Sequence, residues 1–163
     1  MRVILLSFEN YRNLCTGSFS PGPGVNVIYG DNAQGKTNLL EGIWLFTGGH
    51  SFRGARDGDL VRMEAETENP NIAALTMDFF GAGRQQTAEL KIKSGRRSAV
   101  LNGVGKKAAS SLVGTFCAVV FSPEHLSLVK DGPAERRSFL DSAICQIRPS
   151  YAGLLNQYNR TLQ

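Results

Sequence analysis

Residues 30–37 read Gly30-Asp31-Asn32-Ala33-Gln34-Gly35-Lys36-Thr37: a glycine, four residues, then Gly-Lys-Thr. This spacing suits the binding of nucleotide phosphates. The glycines let the backbone curl so that its N–H groups face an anion, and a following helix adds the positive end of its dipole. Lys36 can reach the β- and γ-phosphates, and the Thr37 hydroxyl can ligand Mg²⁺. The flanking residues fit the motif. Val25-Asn26-Val27-Ile28-Tyr29 is β-branched and aromatic and predicts a buried strand leading into the loop. Thr37 to Phe46 continues with apolar residues at helical spacing. Four fixed positions arise by chance in about one chain of this length in a hundred, and a strand before with a helix after makes an accident rarer still.

The remaining elements must hold that loop. Residues 2–9 read as an opening strand, followed by the polar turn Asn10-Tyr11-Arg12-Asn13, and Ser20-Pro21-Gly22-Pro23-Gly24 is a turn cluster. After the loop helix comes the Gly- and Arg-rich stretch from Gly48 to Arg56. Residues 72–80, 86–93 and 97–102 predict successive short strands, with breaks at Gly81–Gly83 and a strong turn signal at Asn102-Gly103. Phe116 to Phe121 predicts a buried strand ended by Ser122-Pro123. From Pro133 the pattern is helical, with Phe139, Leu140, Ala143, Ile144 and Ile147 at three- and four-residue spacing. Pro149 interrupts it, and Ser150 is placed to cap a second helix.

Composition bounds the class. With 163 residues the chain is long enough for one sizeable core, and no apolar run approaches the ~20 residues of a membrane span. No signal-peptide segment follows Met1-Arg2, so an intracellular, cytoplasmic protein is expected. Cys15, Cys117 and Cys145 are far apart and form no Cys-x-x-Cys pair, which argues for reduced thiols rather than a disulfide frame or metal site. Charge is uneven: residues 1–83 carry 6 Lys/Arg against 9 Asp/Glu, a net of −3, while residues 84–163 carry 12 against 5, a net of +7, giving the overall +4. The pairs Arg96-Arg97, Lys106-Lys107 and Arg136-Arg137 could attract a polyanion such as DNA, or serve as solvated faces of a mildly basic protein.

A phosphate-loop hydrolase also needs an acidic site, usually an apolar strand ending in Asp or Asp-Glu. The candidates are poor. Ala73 to Asp78 lacks a second carboxylate, and Phe116 to Phe121 runs into Ser122-Pro123-Glu124. No Leu-Ser-Gly-Gly-type signature is present. The chain reads as the front half of an ATPase, expected to turn over ATP negligibly by itself.

Six stretches carry a more specific pattern: Leu6-Ser7-Phe8-Glu9-Asn10-Tyr11-Arg12-Asn13, Gly35-Lys36-Thr37-Asn38, Ser51-Phe52-Arg53, Leu101-Asn102-Gly103, Val120 to Leu126, and Gly132-Pro133-Ala134-Glu135-Arg136-Arg137-Ser138-Phe139-Leu140-Asp141. Together they resemble the RecF family, the bacterial recombination and gap-repair ATPases whose heads are related to SMC and ABC-type ATPases. The first is similar to the family's opening strand and turn, the second to its loop, and the third to its Ser-His-Arg segment, with Phe52 replacing His. His125 stands where Asp is usual, and the stretch 132–141 is the most specific.

The resemblance implies an α/β fold: an ABC-type P-loop ATPase lobe over residues 1–132 with an antiparallel β meander, and the start of a helical arm over 133–163. It implies ATP and Mg²⁺ at residues 30–38, with Arg12 and Asn13 holding nucleotide from the opening turn and Arg53 approaching the γ-phosphate. Implied partners are double- and single-stranded DNA, RecO- and RecR-like repair proteins, and a second copy in an ATP-dependent homodimer. Arg136 and Arg137, two cations at a helix start, call for acidic, carbonyl or phosphate partners. Val119–Leu126 lacks the glutamine with which ABC-type heads sense Mg²⁺. Alternatives are another SMC-like or overcoming-lysogeny-type head, and a domain that binds nucleotide or DNA without hydrolysis.

Overall fold

Alternation of side chains builds the sheet. In Ile72–Gly81 every second residue, Ala73, Leu75, Met77 and Phe79, is buried, and in Arg84–Lys93 the buried set is Gln86, Ala88, Leu90 and Ile92. A period of two puts each set on one face. The computed structural model describes residues 1–63, 71–106, 108–130 and 132–162. Its strands are β1 (Arg2–Tyr11), β2 (Leu14–Phe19), β3 (Ile72–Gly81), β4 (Arg84–Lys93), β5 (Arg96–Leu101) and β6 (Val104–Lys106). They form one antiparallel sheet in the order β2-β1-β3-β4-β5-β6. Three two-residue turns set the meander's register: Ala82-Gly83, Ser94-Gly95 and Asn102-Gly103 all have positive φ at both positions. That is the turn geometry whose twist matches paired strands.

The loop helix α1 (Lys36–Leu45) lies against the core face of the sheet. Gly42 is the close contact: a Cβ there would stand 3.5 Å from Tyr11 and 3.7 Å from Leu6 and Leu75. Leu45, Phe46, Leu60, Leu112 and Phe116 close the core, with Phe116 edge-on to Phe79 at 5.4 Å. Helices α2 (Ser127–Lys130), α3 (Pro133–Ile147) and α4 (Ser150–Thr161) follow. Pro149 at the α3–α4 junction packs on Gly114, Gln146 accepts the amide of Ala118 (2.8 Å), and the Tyr151 hydroxyl donates to Asp141 (2.7 Å). Ser150 begins α4 instead of capping it, and no side chain caps that helix.

Two expected strands do not form. Val25, Val27 and Tyr29 are 93, 78 and 89% exposed, and Val119 and Phe121 are 98 and 89% exposed. Strand propensity reports how well a residue fits a paired, half-buried surface, and among the described residues no strand lies beside either segment. Residues 22–26 are instead held locally. Asn26 accepts the Gly22 amide (2.8 Å) and donates to the Gly22 and Gly24 carbonyls (both 3.1 Å). The phosphate loop is therefore entered from an unpaired, solvent-facing segment. Two short strands, β2 and β6, lie at the sheet edges where the sequence lacks clear alternation. No helix among the described residues is long and apolar enough to cross a membrane.

Candidate nucleotide-binding site

Gly35 precedes α1 in a left-handed conformation, φ 93°, and no side chain caps the helix. The first-turn amides of α1 thus lack an intrahelical acceptor and point toward residues 30–34. The first turn carries no acidic residue to compete with an anion. The Lys36 ammonium crosses the loop and donates to the carbonyls of Gly30 (2.8 Å) and Asp31 (2.5 Å). From there it can turn to a phosphate oxygen. Thr37 is exposed, and its hydroxyl has no hydrogen-bond partner among the described residues. Asp31, Asn32 and Gln34 are also exposed, and Ala33 is held at φ 65°.

The β1–β2 turn braces this loop. Asn13 Nδ2 donates to the Ala33 carbonyl (2.6 Å), while its Oδ1 accepts from Asn38 Nδ2 (2.7 Å). The turn itself is fixed from behind: the Arg12 amide donates to Leu60 O (2.9 Å), and Arg62 Nη1 donates to Asn13 O (2.9 Å). Asn38 then accepts from Arg53 Nη1 (2.8 Å). Arg12, Asn13, Asn38, Arg53 and the phosphate loop, assembled on paper only by resemblance, are thus contiguous in space.

Arg12 and Arg53 share one partner, Glu41, fully buried on α1. Arg12 binds it through two bonds, Nε to Oε2 and Nη2 to Oε1, both 2.9 Å. The Tyr11 hydroxyl donates to Oε2 (3.1 Å), the Ser51 hydroxyl donates to Oε1, and Arg53 Nη1 stands 4.0 Å from Oε2. Burial pushes the Glu41 carboxyl up, but the hydrogen bonds from Arg12 and Ser51 and the Arg12 charge outweigh it, holding the carboxyl below its ordinary value. Burial, reinforced by the Glu41 charge, raises the Tyr11 phenol. The sequence reading missed Glu41. Its one local signal is a carboxylate interrupting the otherwise apolar run from Leu39 to Leu45.

The basic residues divide. Arg97 is buried: its Nε pairs with Asp57 Oδ1 at 2.7 Å and its Nη1 donates to Gly49 O at 2.9 Å, so it ties the Gly-rich segment to β5. It is not a surface cation. Lys106 stands opposite Ala99, on the core side of the sheet, and Lys107 lies outside the described residues. Arg136 donates to Leu128 O (3.4 Å), a carbonyl partner, and Arg137 is exposed. By contrast Lys91, Lys93 and Arg96 leave the outer face together, with Lys93 directly opposite Arg96. His125 accepts the Ser122 amide through Nδ1 (3.1 Å). The three cysteines are free, and no group of three His, Cys, Asp or Glu able to hold a metal occurs among the described residues.

A family model described as "AAA domain" matches residues 5–137. "DNA replication and repair protein RecF" of Acetivibrio thermocellus is 36% identical over 162 residues, covering 99% of this chain and 42% of that protein. The protein of the same name from Symbiobacterium thermophilum is 43% identical over 157 residues, covering 94% and 39%. The solved structure of "the recombination mediator protein RecF-ATPrS in RecFOR pathway" superposes with a TM-score of 0.88 at 35% identity, over 98% of this chain and 42% of that one. The SMC head domain from Thermotoga maritima, at 21% identity over 72% of this chain and 43% of its own, shares the fold with a TM-score of 0.57. The chain spans about 42% of the length of the RecF relative from Acetivibrio thermocellus.

Proposed function

We propose that this chain, which belongs to the AAA-domain family and matches RecF relatives over nearly its whole length, binds ATP with Mg²⁺ at residues 30–38 and that this binding controls a hold on DNA during recombinational repair. The observation that carries the reading is the bracing of the phosphate loop. Asn13 holds the Ala33 carbonyl and Asn38 at once, while Lys36 lies across the loop and Arg53 reaches the first turn of α1. Fixed amides, one ammonium and one guanidinium at a helix N-terminus form a site for a polyphosphate. Thr37, exposed and beside Lys36, fits the role of Mg²⁺ ligand, and the ion would neutralise phosphate charge there. Arg53 would add charge at the terminal phosphate. Arg12 is two bonds deep in Glu41, so its part is chiefly to order the turn that carries Asn13.

The RecFOR context of the solved relative supports RecO- and RecR-like partners, and in this reading the protein acts in the cytoplasm as an ATP-dependent homodimer on DNA. Residues 133–163 open a helical arm in this reading, since no described residue of α3 or α4 is buried. The test is equilibrium titration with a fluorescent ATP analogue. Saturable binding is expected in the parent chain and its loss in Lys36→Ala. Stability should change by less than about 0.5 kcal/mol, because Lys36 bonds only exposed loop carbonyls. Equal affinity in the two proteins would remove the proposal.

A further inference from the structure

One face of α1 reads Asn38, Glu41, Trp44, and three residues later Thr47 follows just past the helix end. Residues three apart stand above one another on a helix. Each of these four holds a successive part of the segment 49–53. The Thr47 hydroxyl accepts the Gly49 amide (3.3 Å). Trp44 Nε1 donates to the His50 carbonyl (2.8 Å), and its ring meets Phe52 edge-on at 6.4 Å. Glu41 accepts from the Ser51 hydroxyl, and Asn38 accepts from Arg53 Nη1 (2.8 Å). The segment therefore runs antiparallel to the helix, toward its N-terminus. The backbone turns at Ser51–Gly54, where the Gly54 amide donates to the Ser51 carbonyl (3.1 Å), and the long Arg53 side chain makes the last step to Asn38.

We propose that residues 49–53 are a strap that delivers Arg53 to the phosphate end of α1, and that Glu41 and Ser51 are its positioning residues. The inference rests on the ATP-binding reading above. Ser51 is the joint. Its hydroxyl donates to Glu41 and accepts the Arg53 amide (3.1 Å), so the buried carboxylate fixes the Arg53 backbone as well as attracting its guanidinium across 4.0 Å. Glu41 stays charged because Arg12 and Tyr11 hold its other lone pairs. Nε and Nη2 of Arg53 keep no partner among the described residues, and the side chain is 38% exposed, so the cation is anchored at one nitrogen and open at the others. A guanidinium held this way would favour the charge of the terminal phosphate, which distinguishes ATP from ADP.

The experiment measures ATP and ADP affinities for the parent chain, Glu41→Gln, Ser51→Ala, Arg53→Ala and the Glu41→Gln/Arg53→Ala pair. Glu41→Gln is expected to weaken ATP about tenfold and ADP by a smaller factor that reports the Arg12-held turn, and the Arg53→Ala penalty on ATP should largely vanish in the Glu41→Gln background. Ser51→Ala, which keeps the buried charge pair, should lower the ATP/ADP preference in the same direction and serves if Glu41→Gln does not fold. Equal losses for ATP and ADP, or an undiminished Arg53→Ala penalty in the double variant, would overturn the positioning role. Lys36→Ala separates the two readings. If it leaves ATP affinity intact, nucleotide binding itself is wrong; if it abolishes binding while Glu41→Gln spares the ATP/ADP ratio, only the strap is wrong.

Discussion

Gly35 and Asn13 approach so closely that no side chain fits between them. A Cβ on Gly35 would lie 2.7 Å from Asn13 Oδ1 and 2.6 Å from Leu14 Cδ2, on a backbone with φ 93°. The glycine thus serves the loop twice, by its left-handed turn and by admitting the asparagine that holds Ala33 and Asn38. A methyl group must displace Asn13, and with it both bonds.

Gly35→Ala is therefore expected to cost about 1–2 kcal/mol from the left-handed conformation alone. Nucleotide affinity should fall by at least about tenfold, because the amides lose their fixed geometry, a loss of about 1.4 kcal/mol in binding. Urea unfolding and nucleotide titration check the two effects separately. Unchanged affinity would mean that Asn13 does not shape the loop.

Acid should loosen the site through Glu41. Its folded-state pKa is depressed, so the stabilisation is complete above the ordinary value of 4.5 and is lost as pH falls through the lower folded value. The parent chain should accordingly lose stability relative to Glu41→Gln as pH drops below 4.5. At neutral pH the order reverses, since Gln leaves the Arg12 charge unpaired, at a cost of about 3 kcal/mol or more. Denaturant midpoints of both proteins across pH 3–7 measure this. Parallel curves would show that Glu41 carries no such linkage.

What was legible follows from the range of each interaction. The meander was readable because alternation and the dipeptide Asn102-Gly103 act within a few residues, and α1 because its apolar spacing is local. Glu41 was not, because its partners Tyr11, Arg12 and Ser51 lie 30, 29 and 10 residues away and a helical carboxylate ordinarily faces water. Arg12, Asn13 and Arg53 could be gathered only by family resemblance. The segments 25–29 and 116–121 have the composition of buried strands, yet pairing is non-local, and composition says nothing of which strand lies alongside. Adjacency in sequence makes Arg96 and Arg97 look like one basic pair, but strand alternation puts adjacent residues on opposite faces.

That alternation gives a third prediction. Arg97 bonds Gly49 at the start of the strap and pairs with Asp57, so Arg97→Ala should destabilise the fold by about 2–3 kcal/mol, the scale of charged hydrogen bonds lost from a buried group. Arg96→Ala, on the exposed face, should stay within about 0.5 kcal/mol. Thermal or urea unfolding of the two variants decides it. Similar small effects would place Arg97 among ordinary surface cations.

The last prediction concerns DNA. Lys91, Lys93 and Arg96 emerge from the outer face of β4 and β5, away from the α1 face and the phosphate loop. Each phosphate they neutralise contributes about −0.9 to the slope of log affinity against log salt on duplex DNA. Reversing Lys91 and Lys93 to Glu should weaken binding similarly on unrelated duplexes and flatten that slope by about 2, since backbone contacts carry no sequence information. Nucleotide affinity should be nearly unchanged, because neither residue touches α1, the strap or the β1–β2 turn. Reversal of Lys106 should matter less, as its side chain leaves the sheet on the core side opposite Ala99. Salt titrations of a fluorescent duplex with each variant give the slopes. Binding that is insensitive to salt would sink the electrostatic account. A normal slope that survives reversal of Lys91 and Lys93 would move the DNA contact to another face.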